Sequence, residues 1–200
     1  MSVRLDALVT LLARATDLKL LPRTGWLLAG IAQPESVAAH SFATALLALS
    51  LAETINLDPA AESLAGPLDV ARVVRLALLH DLAESLVTDL PKRSAELLGT
   101  AAKHAAEETA MATVLAGLPH ADADCALWAE YDAAATPEAR VVKDADKLEM
   151  VHQALRYEAT GVQTLDEFWA GHRWHYATSA QLFDALHSRR KLRTLSSAHA

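Results

Sequence analysis

The sequence is poor in cysteine, with Cys125 as its single example in 200 residues. A lone cysteine excludes an internal disulfide framework and agrees with a protein that works in a reducing compartment. The sequence also lacks a surplus of positive charge, because 18 Lys and Arg face 25 Asp and Glu and give a formal net charge of −7. This balance argues against sequence-independent binding to a nucleic acid polymer. A small anionic substrate remains compatible with it, since a bound cation reverses the local field.

Long uncharged apolar runs are missing as well, and none approaches the roughly 20 residues that a membrane-spanning helix requires. The first helix carries Arg4, Asp6 and Arg14 among its apolar residues, unlike a signal peptide. We therefore expect a cytoplasmic protein without a membrane partner. The sequence shows neither the alternating pattern of strands nor internal repeats, so the predicted fold class is all-α. A composition of 52% hydrophobic and 22% charged residues is that of a globular chain.

Apolar residues at helical spacing divide the chain into a series of predicted helices. The first, over residues 2–18, is predicted to be amphipathic, with an apolar stripe on Leu5, Leu8, Val9, Leu12 and Ala15. Residues 18–36 contain two prolines and two glycines and are predicted to form a long connection of the kind that is often functional. Later helices are predicted over 36–55, 70–85, 100–115, about 124–134, 137–161 and about 166–190. We interpret residues 1–200 as one domain, with a core over about 18–160 and a frayed polar tail at 194–200.

The most informative stretch is a predicted buried helix that ends in charged residues. Residues 73–79 are largely apolar and run directly into His80 and Asp81, with Glu84 one turn further on. Charged groups at the end of a buried helix carry a large desolvation cost unless they are paired or bind a metal. His80 and Asp81 would project about 100° apart and hold one ion from two sides, with Glu84 above the same ion. The pattern therefore predicts a metal site.

Residues on two other predicted helices extend this candidate site. His40 lies near the start of the helix over 36–55, and Asp146 lies in the helix that ends at Gly161. Together with the His-Asp pair they give two imidazoles and two carboxylates on three helices. Such a set suits a divalent ion such as Mn, Fe, Co, Ni or Zn and leaves coordination positions for water.

Asp144 competes with Asp146 for the last position in this set. Asp146 shares a helical face with Val142 and Met150, so it is predicted to point inward, where a lone acid needs a partner. Asp144 is predicted to lie at the surface, neutralised by nearby basic side chains on the same helix. The pattern favours Asp146.

Five sequence blocks, in order and at matching spacing, resemble the HD-domain superfamily of metal-dependent phosphohydrolases. They are LKLLPRTGW (18–26), PESVAAHS (34–41), RLALLHDLAESLVTDLP (75–91), LWAEYD (127–132) and VVKDADKLEM (141–150). The match is closer to the 5′-deoxynucleotidase branch, which removes phosphate from deoxyribonucleoside 5′-monophosphates. The resemblance implies an HD-domain helical bundle, a nucleotide substrate, a divalent ion (Co, Mn, Mg, Fe, Ni or Zn) and a homodimer.

The resemblance also implies roles for individual residues. The matching metal ligands are His40, His80, Asp81 and Asp146, and Asp81 is counted with Glu84 among the catalytic residues. Glu84 matches the residue that handles the attacking water.

Four further positions match contacts with the substrate: Arg23, Trp26, Asp89 and Lys92. Asp89 and Lys92 match positions at the nucleoside sugar, and Trp26 matches the substrate-facing loop. Some relatives hold a second cation through positions that match Glu84, Asp89 and the Leu90 carbonyl, and this alternative stays open here. For Arg23, phosphate binding and an ordinary surface charge are both open.

Two departures from the family pattern bear on activity. Relatives usually carry an acid just before the first His, where this chain has Ala39, and some carry an Arg before the loop Trp, where this chain has Gly25. A missing carboxylate behind His40 would weaken metal binding, because such partners orient the ligands. Arg23 is the natural substitute for the missing Arg.

Two histidines could have completed a six-ligand HD site, as in the di-iron members of the superfamily. His104 is predicted to lie on a solvated helix face and His120 in a polar turn, so neither is predicted to be a ligand.

The predicted function is hydrolysis of deoxyribonucleoside 5′-monophosphates. The alternatives are another phosphohydrolase, acting on a cyclic nucleotide, a nucleoside triphosphate or a non-nucleotide phosphate, or a catalytically weak nucleotide sensor. A triphosphate would require more cationic side chains than Arg23 and Lys92.

Overall fold

Helices make up the regular structure of the computed structural model, which describes residues 2–163 and 165–197, with side chains over 4–91, 93–163 and 165–192. They are α1 (Ser2–Leu20), α2 (Thr24–Leu28), α3 (Val37–Ile55), α4 (Val70–Leu79), α5 (Glu84–Val87), α6 (Lys92–Leu98), α7 (Thr100–Leu115), α8 (Ala121–Asp132), α9 (Pro137–Glu158) and α10 (Ala177–Ser197). Short 3₁₀ helices cover Pro59–Glu62 and Asp166–Phe168. Within the described residues there is no strand, only an isolated bridge between Pro22 and Ser36. The all-α fold class is confirmed.

The centre of the bundle is formed by α3, α4 and α9, which pack against one another. Small and branched apolar residues line these contacts, with Ala48 and Ala52 of α3 and Val142 and Ala145 of α9 fully buried. Small side chains let the helix axes approach closely, so the polar residues on the same faces are carried into the interior. The candidate ligands lie on these three helices or directly after them.

The 19 residues of α3 are long and apolar enough to span a membrane, by length and composition alone. Central helices of helical bundles share this composition. Here α3 packs against α1, α4, α9 and α10. Its buried face carries His40 and Thr44 in addition to apolar side chains.

The helix predicted over 70–85 is shorter than expected, because α4 ends at Leu79, immediately before His80. Nδ1 of His80 donates to the carbonyl oxygen of Ala77 at 2.6 Å, so the side chain takes an acceptor from the last turn. The following turns are closed by bonds between residues three apart, from Leu82 N to Leu79 O and from Glu84 N to Asp81 O. This tighter backbone turns the His-Asp pair toward the centre of the bundle.

The predictions for both ends of the chain also need correction. The helix predicted over 166–190 is instead a 3₁₀ turn, a loop over 169–176, and α10 from Ala177. Residues 194–197 are helical rather than a frayed tail, and 198–200 lie outside the described residues. The connection over 18–36 contains the short helix α2. The apolar stripe of α1 is exposed at Leu5, Leu8, Val9 and Leu12.

Candidate active site

The four predicted ligands converge on one point inside the bundle. Nε2 of His40 lies 3.1 Å from Oδ1 of Asp146 and 3.5 Å from Oδ2 of Asp81. The same Oδ2 lies 3.1 Å from Nε2 of His80. Ligand atoms of His40, His80 and Asp146 all lie within 4.8 Å of one another, which is close enough to hold one metal ion. The first turn of α3, the turn after α4 and the middle of α9 each supply part of this set.

The position of the ring proton on His80 tests whether a cation fits beside its Nε2. A backbone carbonyl can only accept, so the bond from Nδ1 to Ala77 O places the ring proton on Nδ1 and a lone pair on Nε2. Nε2 is buried and has no hydrogen-bond partner among the described residues. A lone pair that faces the Asp81 carboxylate is repelled by it unless a cation lies between them. The donor set therefore fits a divalent ion.

His40 is held by a residue that the sequence analysis did not assign. Its Nδ1 lies 2.5 Å from Oε2 of Glu149, which lies one turn after Asp146 on α9. This contact orients Nε2 toward the cluster and supplies the carboxylate that Ala39 does not provide. Burial lowers the pKa of His40, but the hydrogen bonds to Asp146 and Glu149 outweigh burial and raise the pKa to about 10. The acids around His40 thus favour a positive charge at this end of the cluster.

The two candidate aspartate ligands remain ionised despite their burial. Burial raises the pKa of Asp81, yet the positive charges of Arg23 and His40 contribute to bringing that pKa well below its usual range. Burial likewise raises the pKa of Asp146, and the contacts with His40 lower it further than burial raises it. Tyr131 of α8 donates its hydroxyl proton to Oδ2 of Asp146 at 3.0 Å, which fixes the orientation of that carboxylate.

Glu84 lies beside the cluster at the start of α5. Burial, followed by the negative charges of Asp81 and Asp89, raises the pKa of Glu84 well above its usual value. Its Oε2 is buried and has no hydrogen-bond partner among the described residues. A carboxylate with a raised pKa and a free oxygen is suited to accept a proton from water.

The loop before α2 is tied to the candidate site by two contacts. Arg23 donates from Nη1 to Oδ2 of Asp81 at 3.4 Å. Asp89 is buried and accepts from the backbone N–H of Thr24 at 2.5 Å. Thr88, which precedes Asp89, has φ of 68°, a left-handed conformation that a β-branched residue rarely adopts. Arg23 therefore belongs to the site environment rather than to the open surface.

Trp26 is more deeply buried than a residue of a substrate-facing loop would be, with 1% of its surface exposed. Its indole stacks on Phe168 at 4.2 Å between centroids and donates from Nε1 to Glu35. Phe168 belongs to the 3₁₀ turn before the loop over 169–176 and is only half-buried. The larger share of the aromatic surface open to a ligand therefore comes from Phe168.

A cleft of about 860 Å³ opens over the cluster. Among the described side chains that line it are six Lys and Arg (Arg23, Arg93, Lys103, Lys143, Lys147 and Arg173) and eight Asp and Glu (Asp81, Glu84, Asp89, Glu96, Glu107, Asp132, Asp146 and Glu167). A divalent ion would bring these charges into balance. The volume is within the range of small-molecule sites.

The prediction for Asp144 is wrong, because this residue is fully buried rather than solvated. Its carboxylate accepts from the backbone N–H groups of His175 and Tyr176 and lies 2.9 Å from Nδ1 of His175. Asp144 thereby anchors the loop over 169–176, which lines one side of the cleft. A buried acid in a helix needs partners. The partners of Asp144 lie in the loop over 169–176, and helical spacing does not identify them.

The histidines considered for a six-ligand site lie outside the cluster. His104 is partly exposed and pairs with Asp132 at 2.6 Å, and its ring stacks on Trp128. His120 is exposed at the start of α8. The side chain of Lys92 lies outside the described residues, so its predicted contact with the sugar stays a prediction. Sequence reasoning missed Glu149, Tyr131, Lys143 and Phe168, although the first three lie within the quoted blocks.

A helical bundle that brings His, His-Asp and Asp together in this way is the architecture of the HD-domain proteins. A family model described as HD domain matches residues 15–170, and the chain belongs to this family. It is 35% identical to the 5′-deoxynucleotidase hdd1 of Schizosaccharomyces pombe, over 82% of this chain and 81% of that protein. It is 34% identical to the 5′-deoxynucleotidase HDDC2 of Danio rerio, over 77% of this chain and 71% of that protein.

Solved structures show the same similarity. The PH0347 protein of Pyrococcus horikoshii superimposes with a TM-score of 0.75 and 34% identity, covering 90% of this chain and 96% of that one. The family resemblance inferred from the five blocks is thereby confirmed.

Proposed function

We propose that this protein is a metal-dependent 5′-deoxynucleotidase that hydrolyses deoxyribonucleoside 5′-monophosphates to deoxynucleoside and phosphate. The observation that carries the proposal is the buried, unpartnered Nε2 of His80 beside Asp81, His40 and Asp146. The names of the relatives supply the substrate class. A divalent ion bound by these four residues would polarise a phosphoryl oxygen and neutralise charge that develops on it.

In this mechanism the residues of the chain position the substrate and move one proton. Glu84 accepts a proton from the water that attacks phosphorus, the bond between phosphorus and the 5′-oxygen breaks, and Glu84 passes that proton to the departing 5′-oxygen. Arg23 offers a planar fork to the phosphate oxygens, a geometry suited to bidentate contact. Asp89 accepts from the 3′-hydroxyl through the oxygen that Thr24 leaves free, and it excludes a 2′-hydroxyl. Phe168, on which the buried Trp26 stacks, forms an aromatic wall for the nucleoside.

The charges of the cleft favour a monophosphate over a triphosphate. Lysines and arginines do not outnumber the acids among its described lining residues, so one divalent ion leaves little positive charge for further phosphates. A role as a catalytically weak sensor is disfavoured, because Glu149 supplies the carboxylate behind His40 that Ala39 lacks. A second cation between Glu84, Asp89 and Leu90 stays a prediction.

The proposal includes a homodimer in the cytoplasm. The exposed apolar side chains of α1 support self-association, since contiguous exposed apolar surface marks interaction sites. The single cysteine agrees with a reducing compartment, and the net charge of −7 agrees with a small nucleotide, rather than a nucleic acid polymer, as the partner.

Phosphate release after metal stripping tests the proposal. We expect Co²⁺, Mn²⁺, Mg²⁺ or Zn²⁺, added singly, to restore hydrolysis of dAMP and dTMP above that of AMP and p-nitrophenyl phosphate. Asp81→Asn should lose bound metal and activity together. Glu84→Gln should retain metal and lose about 10²–10⁴-fold in kcat. A metal-loaded, folded protein that releases no phosphate from deoxynucleotides would contradict the proposed function.

A further inference from the structure

Lys143 lies on α9 one turn before Asp146, so both side chains face the cleft. Its ammonium lies 3.7 Å from the centroid of the Tyr131 ring, whose hydroxyl donates to Asp146. Within the described part of the chain, no hydrogen bond or ion pair joins Lys143 to a carboxylate. The aromatic ring holds the ammonium beside the candidate metal ligands without neutralising it.

The other described lysines of the cleft are engaged. Lys103 forms an ion pair with Glu107 at 2.7 Å. Lys147, one turn after Lys143 on the same helix, donates to the carbonyl oxygen of Arg173 at 3.1 Å. Lys143 is thus distinguished among them as a half-buried lysine whose ammonium has no hydrogen-bond acceptor among the described residues. Burial lowers its pKa, although the nearby acids Asp146 and Asp132 raise it. A desolvated cation of this kind is stabilised when an anion binds.

We propose that Lys143 contacts a phosphoryl oxygen of the substrate, and that its ammonium approaches from the side of the cluster formed by Asp146 and Tyr131. Arg23 lies on the other side, beside Asp81. The two cations therefore flank the carboxylates that would hold the metal, and a phosphate between them has a donor on each side. The identification of the anion as the substrate phosphate rests on the proposed function.

Binding of inorganic phosphate to the metal-loaded protein tests this role directly. Calorimetric titration should show that Lys143→Met weakens phosphate binding by about tenfold or more, since a hydrogen bond to a charged group is lost. Lys143→Arg should recover most of the affinity. Lys191→Met, at an exposed position of α10 that does not line the cleft, is the control and should bind within about twofold of the unmodified protein. The metal content and melting temperature of each variant, measured alongside, distinguish a lost phosphate contact from lost metal or misfolding.

Unchanged phosphate affinity in Lys143→Met would overturn the inference, and so would an equal loss in Lys191→Met. If Lys143→Met does not fold, Lys143→Gln and Lys143→Arg supply the comparison, with weakened binding expected only for Gln. Hydrolysis of dAMP by the unmodified protein is measured separately. Phosphate binding that depends on Lys143, without dAMP hydrolysis, would contradict the proposed function and still support the contact between Lys143 and phosphate.

Discussion

At the scale of single residues, the contact between His40 and Glu149 has the largest consequence for metal binding. Glu149 holds the ring nitrogen that faces away from the cluster, and so it sets the direction of the ligand nitrogen. Glu149→Gln should weaken metal affinity by about 10–100-fold while the fold is retained. Competition with a chelator measures this affinity, and Glu53→Gln, at an exposed position of α3, is the control. Equal metal affinity in both variants would show that Glu149 does not replace the carboxylate that is missing at position 39.

Asp89 has two functions in the proposed site, and two substitutions separate them. One carboxylate oxygen holds the backbone of Thr24 beside Arg23, and the other is left for the sugar. Asp89→Ala should lower turnover and bring the ratio of kcat/KM for dAMP and AMP closer to one, because both functions are lost. Asp89→Asn retains an acceptor for Thr24 and should keep more of the turnover. An unchanged ratio in both variants would remove Asp89 from sugar recognition.

Sequence patterns identify residues whose role has a local explanation, and they miss residues whose role depends on contacts with distant segments. His80 and Asp81 were identified because charged groups after an apolar helix need a local explanation. Glu149 and Phe168 were missed, because their roles depend on which residues of distant segments they meet. Asp144 was misplaced for the same reason, since the donors that satisfy its carboxylate lie more than 30 residues away. Helical spacing gives a face of a helix, but tertiary packing decides what that face contacts.

At the scale of elements, the loop over 169–176 joins the stability of the fold to the shape of the cleft. Asp144 on α9 fixes this loop through two backbone N–H groups and the ring of His175. Asp144→Ala would leave these donors unsatisfied and should cost about 3 kcal/mol, or roughly 6–12 °C in Tm. Thermal unfolding measures the loss, with the exposed Asp184→Ala of α10 as the control.

The same substitution should also change substrate binding. Phe168 precedes the loop and Arg173 lies within it, and both line the cleft. Once the loop is released, KM should rise more for dAMP than for p-nitrophenyl phosphate, because the smaller ester does not use the nucleoside wall. A parallel rise for both esters would show that the loop does not contact the nucleoside.

At the scale of the whole molecule, the bundle separates its apolar outer surface from its cleft. Val9 and Leu12 of α1 are 65% and 68% exposed, and Phe42 of the neighbouring α3 is 71% exposed. None of them lines the cleft. An apolar stripe of this kind is stabilised when a second copy covers it, because burial removes the side chains from water.

The double substitution Val9→Glu and Leu12→Glu tests this arrangement, since two charges on each copy would repel across a shared interface. Light scattering should give twice 21.4 kDa for the unmodified protein and 21.4 kDa for the variant. Leu57→Glu, which places a charge at an exposed site after α3, should leave the mass unchanged. Metal content should persist in the monomeric variant, because all four candidate ligands come from one copy. A double variant that stays dimeric would place the interface elsewhere, and a monomeric unmodified protein would remove the homodimer from the proposal.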